Sequence, residues 1–348
     1  MDIVFWPHIR NKKVASYRLR CLQIVETLQK RGLSAGFYHT RVQPKVLVLS
    51  KRYDARTLKT AISLRSKYGA KLVLDICDNH FYYDNNSNIW SDRAGLLRDA
   101  ILAVDVVICS SEALANIVLQ EISIKAIEVK VIGDSTELPF EPDFFTKISH
   151  PYCELELYFY KKKLRSLHIQ KGRKLIWFGN HGGNNAAGGM EDILLIKDQL
   201  LAHHNFSPIS LTIVSNSKSK YKDIAKQLSV PSIYVDWNYY TFSRVMFNND
   251  IAIIPISVNP FTICKTNNRL ATAIVHNLQV VATSIPSYEA FRDDVVLDDW
   301  LDGMESFMLN QENRDQGIKE CKLILEQNFS LSKVVDSWQE CLLAISKN

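Results

Sequence analysis

The sequence lacks several features that mark common classes of protein. Its seven cysteines are scattered without a Cys-x-x-Cys pair, a pattern that favours reduced thiols over a disulfide framework or a structural zinc site. No apolar run reaches the ~18 to 20 residues of a membrane span. The first ten residues, MDIVFWPHIR, do not have the layout of a signal peptide. We therefore expect a cytoplasmic protein.

A strong charge and a dinucleotide fingerprint are also missing. The 42 basic and 37 acidic residues give a net charge of +5, which does not by itself imply binding to nucleic acid. No Gly-x-Gly-x-x-Gly follows a predicted strand, so an NAD-dependent enzyme is not expected. We expect no cofactor and no nucleic-acid partner.

What the sequence does contain is a regular alternation of apolar strands and helical patterns. Its 348 residues are enough for two domains of ordinary size. The alternation predicts parallel strands joined by right-handed crossovers. We place one Rossmann-like domain at residues 1–138 and a second at 173–328. Residues 139–172 lose the periodicity and are interpreted as a connection, and residues 329–348 as a final helix.

A predicted helix after a buried strand in the second domain carries two cations at its start. The pattern predicts a strand from Ile251 to Pro255 and a helix from Asn267 to His276, with Thr266 or Asn267 as its cap. The first backbone amides of that helix would be unpaired at the carboxyl end of the strands. Lys265 and Arg269 add charge where the helix dipole is already positive, which favours a phosphate ligand. The alternative is that both are solvated surface residues.

A glycine-containing loop opens the second domain. Gly182 and Gly183 are two of five glycines that follow the predicted strand at Lys174, and glycines let backbone approach a ligand closely. His181 is interpreted either as a contact to sugar or phosphate or as an ordinary polar loop residue.

Cationic and titratable residues follow two predicted strands of the first domain. At the first strand we propose His8, Ser16, Arg18 and Arg20 as ligands of an anionic substrate group, or else as solvated residues of a helix face. Asp78 and His80 follow the strand from Lys71 to Ile76, where α/β enzymes place acid and base chemistry. Turn formation is the alternative for this pair.

The run from Tyr160 to Lys174, YKKKLRSLHIQKGRK, is strongly basic and follows two further aromatic residues. Such a run suits peripheral association with an anionic membrane, where each Lys or Arg contributes about 1 kcal/mol. A solvated helix face is the alternative.

Three segments resemble GT-B glycosyltransferases of the group 1, family 4-like type. KTNNRLATAIVHNLQVVAT is similar to their donor-binding segment, AVDVVICSSEAL with VKVIGDSTE to the end of their first domain, and the glycine loop to the loop that opens their second domain. The resemblance implies an α/β protein with two doubly wound, Rossmann-like parallel-sheet domains facing a central cleft. It also implies that the final helix crosses back to the first domain.

The resemblance assigns roles to individual residues. Thr272 occupies the place where a Glu commonly holds the ribose hydroxyls. The family binds the nucleotide base at the place where Val235, Trp237 and Tyr239 fall. The alternative is that these residues are part of the aromatic core. Asp78 or His80 would be the base of an inverting reaction, whereas a retaining route needs none. The donor phosphates would be held by Lys265, Thr266, Asn267, Asn268, Arg269, Gly182 and Gly183.

The activity implied is transfer of a sugar from a nucleotide-sugar substrate to the hydroxyl of a glycan or lipid-linked acceptor, in synthesis of a bacterial surface polysaccharide. No Asp-x-Asp occurs, so a metal-independent enzyme is expected. One alternative is a nucleotide-sugar epimerase or hydrolase on the same fold. Another is a catalytically silent binding subunit, which Thr272 in place of Glu favours.

Overall fold

The chain divides into two compact units. The structure, a computed structural model, describes residues 1–84, 88–122, 127–167, 172–183, 186–309 and 311–347. Unit 1 comprises Met1–Glu137, Ile263–Thr266 and Glu326–Asn348. Unit 2 comprises Leu138–Thr262 and Asn267–Leu325.

Unit 1 is built on a parallel sheet with the order β2-β1-β3-β4-β5-β6. Its strands are β1 Ile3–Pro7, β2 Ala35–Phe37, β3 Val46–Ser50, β4 Lys71–Ile76, β5 Val106–Cys109 and β6 Glu128–Val131. All residues of β3 and β5 are buried, as expected for strands covered by helices on both faces. The strand order reverses between β1 and β3, and ligands of open α/β sheets bind at the carboxyl ends of strands beside such a reversal.

The first helical segment of unit 1 contains a π-helical turn. The helices are α1 Ala15–Tyr17, α2 Gln23–Lys30, α3 Ala55–Tyr68, α4 Asn88–Ala103 and α5 Glu112–Glu121, with the π turn at Arg18–Leu22 between the first two. Because a π turn widens the helix, three consecutive side chains, Leu19, Arg20 and Cys21, all become buried. The period of a regular helix would have turned one of the three to solvent.

Unit 2 is built on a second parallel sheet, with the order β12-β11-β10-β7-β8-β9. Its strands are β7 Arg173–Phe178, β8 Ile209–Ser215, β9 Ser232–Asp236, β10 Ile251–Ile254, β11 Gln279–Ala282 and β12 Val296–Leu297. The order reverses between β7 and β10. The glycine loop follows β7 and the helix with Arg269 follows β10, so the sheet brings both to one edge.

Unit 2 contains two helices, α6 and α7, in the segment that was predicted to be an irregular connection. The described helices are α6 Phe144–Ser149, α7 Pro151–Leu167, α8 Lys197–Phe206, α9 Lys218–Ala225, α10 Tyr239–Met246, α11 Asn268–Val275, α12 Asp302–Leu309 and α13 Gln311–Phe329, with 3-10 turns at Met190–Ile196 and Pro286–Phe291. The last four residues of α13, 326–329, belong to unit 1. Of the predicted connection 139–172, residues 168–171 lie outside the described ranges. The rest is largely helical, because Cys153, Leu157, Tyr160 and Leu164 form a buried stripe on α7.

The last helix, α14 Leu331–Lys347, belongs to unit 1. Its Trp338 is fully buried with its ring 5.5 Å from that of Phe5 in β1. Arg31, after α2, donates to Asp336 at 2.7 Å and to Gln339 at 3.0 Å. None of the described helices combines the length and the apolar character needed to cross a membrane.

Candidate active-site residues

A buried ion cluster lies at the carboxyl edge of the sheet of unit 1. Arg20 donates from Nε and Nη2 to Asp75 Oδ1, at 2.8 and 2.6 Å, and from Nη1 to Asp134 Oδ1 at 2.8 Å. Ser50 Oγ donates to Asp75 Oδ2 at 2.7 Å. Burial would lower the pKa of Arg20, but the charges of Asp75 and Asp134 outweigh it and raise the pKa. The Arg20 guanidinium therefore keeps its charge, and its Nε, Nη1 and Nη2 all donate within the protein.

This position does not suit the acceptor-binding role predicted for Arg20, because its side chain is only 1% exposed and is bound within the protein. Arg18 is also engaged: it forms a bidentate pair with Glu137, at 2.8 and 2.9 Å, and donates to Lys12 O. His8 is exposed and Ser16 half-buried, so these two remain accessible.

Asp78 is held between two lysines of unit 1. One carboxylate oxygen pairs with Lys51 and the other with Lys265. Lys265 reaches it because the loop Ile263–Thr266 packs on unit 1, where Ser111 Oγ donates to Cys264 O at 2.8 Å. Burial raises the pKa of Asp78, but the Lys265 and Lys51 charges outweigh it and hold the pKa far below its usual range. Asp78 is therefore a weak base.

His80 is buried, and its Nδ1 lies 2.6 Å from the hydroxyl of Tyr53. Arg93 Nε donates to the same hydroxyl at 2.6 Å, so the Tyr53 proton is directed to His80 Nδ1. The proton of the neutral ring then sits on Nε2, 3.9 Å from Asp78 Oδ2. Burial lowers the pKa of His80 to about 3, although the charge of Asp78 acts in the opposite sense. The ring is neutral at pH 7, and its unprotonated nitrogen, Nδ1, already accepts the hydrogen bond from Tyr53.

Sequence reasoning missed the cations around His8. Arg52 Nη1 donates to His8 O at 3.4 Å. Burial and then the charges of Arg93, Arg52 and Lys51 lower the pKa of His8. Lys51 and Arg52 directly follow β3, and Lys51 adopts a φ of 50°, uncommon for a side-chain-bearing residue. The sequence signal that could have revealed this cationic cluster is the pair Lys51 and Arg52 directly after a buried strand.

The glycine loop of unit 2 requires glycine for steric reasons. Gly182 has a φ of +104° and Gly189 of +91°, and a Cβ on Gly189 would lie 2.5 Å from Gly182 Cα. His181 donates from its backbone N to Asn216 Oδ1 at 3.1 Å, and its Nδ1 lies 2.8 Å from the same oxygen. Because that oxygen only accepts, the proton is on Nδ1 and Nε2 is an acceptor. An open pocket of about 580 Å³ is lined by His181, Gly182, Gly183 and Lys220, among others.

Asp192, a buried carboxylate that the sequence reading passed over, joins this loop to the loop after β10. It accepts from Gly189 N at 3.0 Å, from Ser257 N at 3.1 Å and from Ser257 Oγ at 2.5 Å. Burial raises its pKa, against these hydrogen bonds and the charge of Arg269. An acid three residues after a glycine at a helix start is a capping pattern, and was the available signal.

The start of α11 carries Arg269 to the same region of unit 2. Arg269 is half-buried and brings its Cδ within 3.7 Å of the Cβ position of Gly179. Burial raises the pKa of Tyr288, and the charge of Arg269 acts in the opposite sense. Asn267 is the N-cap residue, but its side chain does not cap the helix. Its Nδ2 is buried and has no hydrogen-bond partner among the described residues. Asn268 is half-buried in the first turn.

The residues predicted to hold donor phosphate are thus divided between the units. Lys265 and Thr266 belong to unit 1, where Thr266 Oγ1 donates to Asp134 Oδ2 at 3.0 Å. Asn267, Asn268 and Arg269 belong to unit 2, with Gly182 and Gly183.

The predicted base and ribose residues lie in β9, directly after it, at the start of α10 and within α11. Trp237 N donates to Ser215 O, at the end of β8, at 2.8 Å, and Val235 and Thr272 are half-buried. The ring of Tyr239 stacks on Phe140 at 4.7 Å. No group of three His, Cys, Asp or Glu residues suited to a metal ion occurs in the described ranges.

Comparison with known proteins gives a clear structural answer. No family model matches this chain, and no curated protein sequence is significantly similar to it. A glycosyltransferase from Rickettsia africae matches with a TM-score of 0.68 and 11% identity, over 100% of this chain and 99% of its own. HepE from Anabaena, solved with UDP and glucose, matches with a TM-score of 0.63 and 10% identity, over 99% and 100%.

A third match, the GtfA/B complex, has a TM-score of 0.56 and 12% identity, over 93% of this chain and 60% of the other. This chain therefore spans about three fifths of that protein's length. Identities this low establish the fold alone. The chain has the GT-B fold of these solved glycosyltransferases, which confirms the predicted fold class.

Proposed function

We propose that this chain is a glycosyltransferase that moves a sugar from a nucleotide-sugar donor to an acceptor hydroxyl. The observation that carries the proposal is the arrangement within unit 2: a glycine loop that excludes side chains, and a helix start that carries a half-buried arginine. HepE, with the same fold, was solved with UDP and glucose.

The chemistry proposed for this site is stabilisation of the leaving diphosphate without a metal ion. As the bond between the anomeric carbon and the phosphate oxygen breaks, negative charge grows on the phosphate. Arg269, half-buried beside Gly179, and the first amides of α11 supply positive charge there. The unpaired Nδ2 of Asn267 is a further donor, since buried polar groups are nearly always satisfied.

The role predicted for Lys265 as a phosphate ligand has to be revised. Its ammonium is paired with Asp78, so binding a phosphate would compete with that ion pair. We propose that Lys265 contributes less than Arg269 to donor affinity.

We propose a retaining reaction, because both candidate bases of unit 1 are poor proton acceptors in this arrangement. Asp78 is neutralised by two lysines, and Nδ1 of His80 accepts from Tyr53. In a retaining route the acceptor oxygen attacks the face that the phosphate leaves, and the departing phosphate oxygen takes the hydroxyl proton. The reaction then needs no protein base.

The acceptor proposed is a glycan or a lipid-linked glycan of a surface-polysaccharide pathway, bound at His8 with Ser16. The cations near His8 favour an acceptor that carries an anionic group. The proposed location is the cytoplasm, which is consistent with seven free cysteines.

A catalytically silent donor-binding subunit is the second candidate, since Thr272 supplies no carboxylate for the ribose. Incubation with radiolabelled nucleotide sugars, with and without extracted glycan acceptors, separates the possibilities. Acceptor-dependent transfer supports the proposal. Donor epimerised or hydrolysed without acceptor indicates the epimerase or hydrolase, and donor bound without turnover indicates the silent subunit.

A further inference from the structure

An unusual concentration of exposed apolar side chains lies on α6 and α7. Among the described residues, 22 large hydrophobic side chains are exposed, and eight of them fall within residues 138–159. Large aromatic and aliphatic residues are mostly buried in soluble domains, and contiguous exposed patches mark interaction surfaces. We call six of these residues the docking face: Phe144, Phe145, Ile148, Tyr152, Leu155 and Phe159.

Half of the docking face lies on α7, a firmly anchored helix. The buried stripe of α7 holds one side of the helix, and Asn249 Nδ2 donates to Tyr160 OH at 3.0 Å. At 100° per residue, Tyr152, Leu155 and Phe159 fall on the opposite side. Glu154 is bound by Arg244 through two hydrogen bonds of 2.7 and 2.8 Å. The outward side therefore presents three large apolar side chains beside one exposed carboxylate, Glu156, while the helix itself is fixed.

Three cations extend the docking face at the carboxyl end of α7. Lys162 and Lys163 flank the direction of Phe159 on the helical projection, and Arg165 follows. All three are exposed, and none forms a salt bridge within the described part of the chain. Long basic side chains can cover apolar surface while their charges reach phosphate. Apolar residues followed by unpaired cations are complementary to an anionic bilayer surface.

We propose that the docking face binds the surface of an anionic lipid bilayer. Phe145, Tyr152 and Phe159 enter the boundary between headgroups and acyl chains, and Lys162, Lys163 and Arg165 lie against lipid phosphates. The inference is independent of the transferase assignment.

The test is co-sedimentation of the full chain with vesicles of phosphatidylcholine alone or of equal parts phosphatidylcholine and phosphatidylglycerol. We expect binding to the anionic vesicles, weakened by salt. Two variants, Phe145→Ser/Tyr152→Ser/Phe159→Ser and Lys162→Glu/Lys163→Glu, should each lower the partition coefficient at least about tenfold. The matched controls are Phe206→Ser, equally exposed at the end of α8, and Lys59→Glu/Lys333→Glu.

Each outcome bears on the proposal. Unchanged partition of the controls, with native circular dichroism for all four variants, supports it. Absence of vesicle binding by the wild type overturns it, as does an equal loss in the controls. Dimerisation in sedimentation velocity that the triple serine variant abolishes, without vesicle binding, would reassign the docking face to contact between two copies of the chain.

Discussion

Asp78 forms an ion pair with Lys265, a residue 187 positions further along the chain. The pair places the loop Ile263–Thr266 on unit 1 and leaves Asp78 neutralised from both sides, since Lys51 binds its other oxygen. Lys265 is thereby separated in role from Arg269, although the two are four residues apart.

Replacing Asp78 with Asn should destabilise unit 1 by about 2 kcal/mol at pH 7. The change leaves two lysines without a counter-charge, and the cost is below that of a fully buried pair because Lys265 is partly exposed. The folded pKa of Asp78 lies below its unfolded value, so its contribution is complete above pH ~4 and is lost as the pH falls further. Urea unfolding at pH 7 and pH 3.5 should therefore show a smaller difference between wild type and variant at the lower pH.

His80 should make the stability depend on pH in a higher window. Its pKa is about 3 in the folded protein, below its unfolded value near ~6.5, so the unfolded chain binds more protons between these limits. Stability should fall on acidification below pH ~6.5, by up to about 1.4 kcal/mol per pH unit. His80→Gln should remove this dependence between pH 7.5 and 5.5. An identical pH profile for the two proteins would show that His80 is not buried as a neutral ring.

Arg20 and Arg18 should respond very differently to substitution by Ala. Loss of Arg20 leaves Asp75 and Asp134 as uncompensated buried charges, with an expected cost of about 3–5 kcal/mol. Arg18 forms a partly buried pair with Glu137, and its loss should cost about 1–2 kcal/mol, between the values for exposed and for buried pairs. Arg20→Lys should rescue only in part, since lysine lacks the guanidinium fork. Equal costs for both arginines, measured by urea unfolding, would contradict a structural role for Arg20.

Gly189→Ala should impair nucleotide binding at least about tenfold, because a left-handed φ and the contact with Gly182 leave no room for a methyl group. Gly95→Ala is the control: it lies inside α4 with no atom near its Cβ position, and should stabilise the chain by about 0.5–1 kcal/mol. Titration calorimetry with the nucleotide that the wild type binds measures the first effect. Full affinity in Gly189→Ala would remove the glycine loop from the site.

The retaining route predicts the stereochemistry of the product. If the donor carries an α-linked sugar, the anomeric centre of the product should also be α, and Asp78→Asn should keep measurable activity because no base is lost. Proton NMR of the product reports the configuration. A β product from an α donor would restore Asp78 or His80 as the base.

The strands and their parallel pairing could be predicted from sequence because buried parallel strands are continuous apolar runs, as in β3 and β10. The π turn at Arg18–Leu22 could not, since nothing in the residue pattern distinguishes it from a regular helix that faces Arg20 to solvent. The helix α7 was missed because apolar residues occur on its exposed side as well as on its buried side, and this blurs the helical period. The pairing of Asp78 with Lys265 depends on contacts between distant segments that no local pattern encodes.

Nucleotide binding by unit 2 is the central claim, and a thermal-shift panel tests it most directly. UDP, GDP, ADP, CMP and dTDP are compared on the wild type, on Arg269→Ala and on Arg292→Ala, an exposed arginine of the same unit that serves as the control. At ~100 times its dissociation constant a ligand adds roughly 2.7 kcal/mol of stability. We predict that one nucleotide stabilises the wild type and Arg292→Ala but not Arg269→Ala. An equal shift in all three proteins, or no shift with any nucleotide, would contradict the proposed phosphate site.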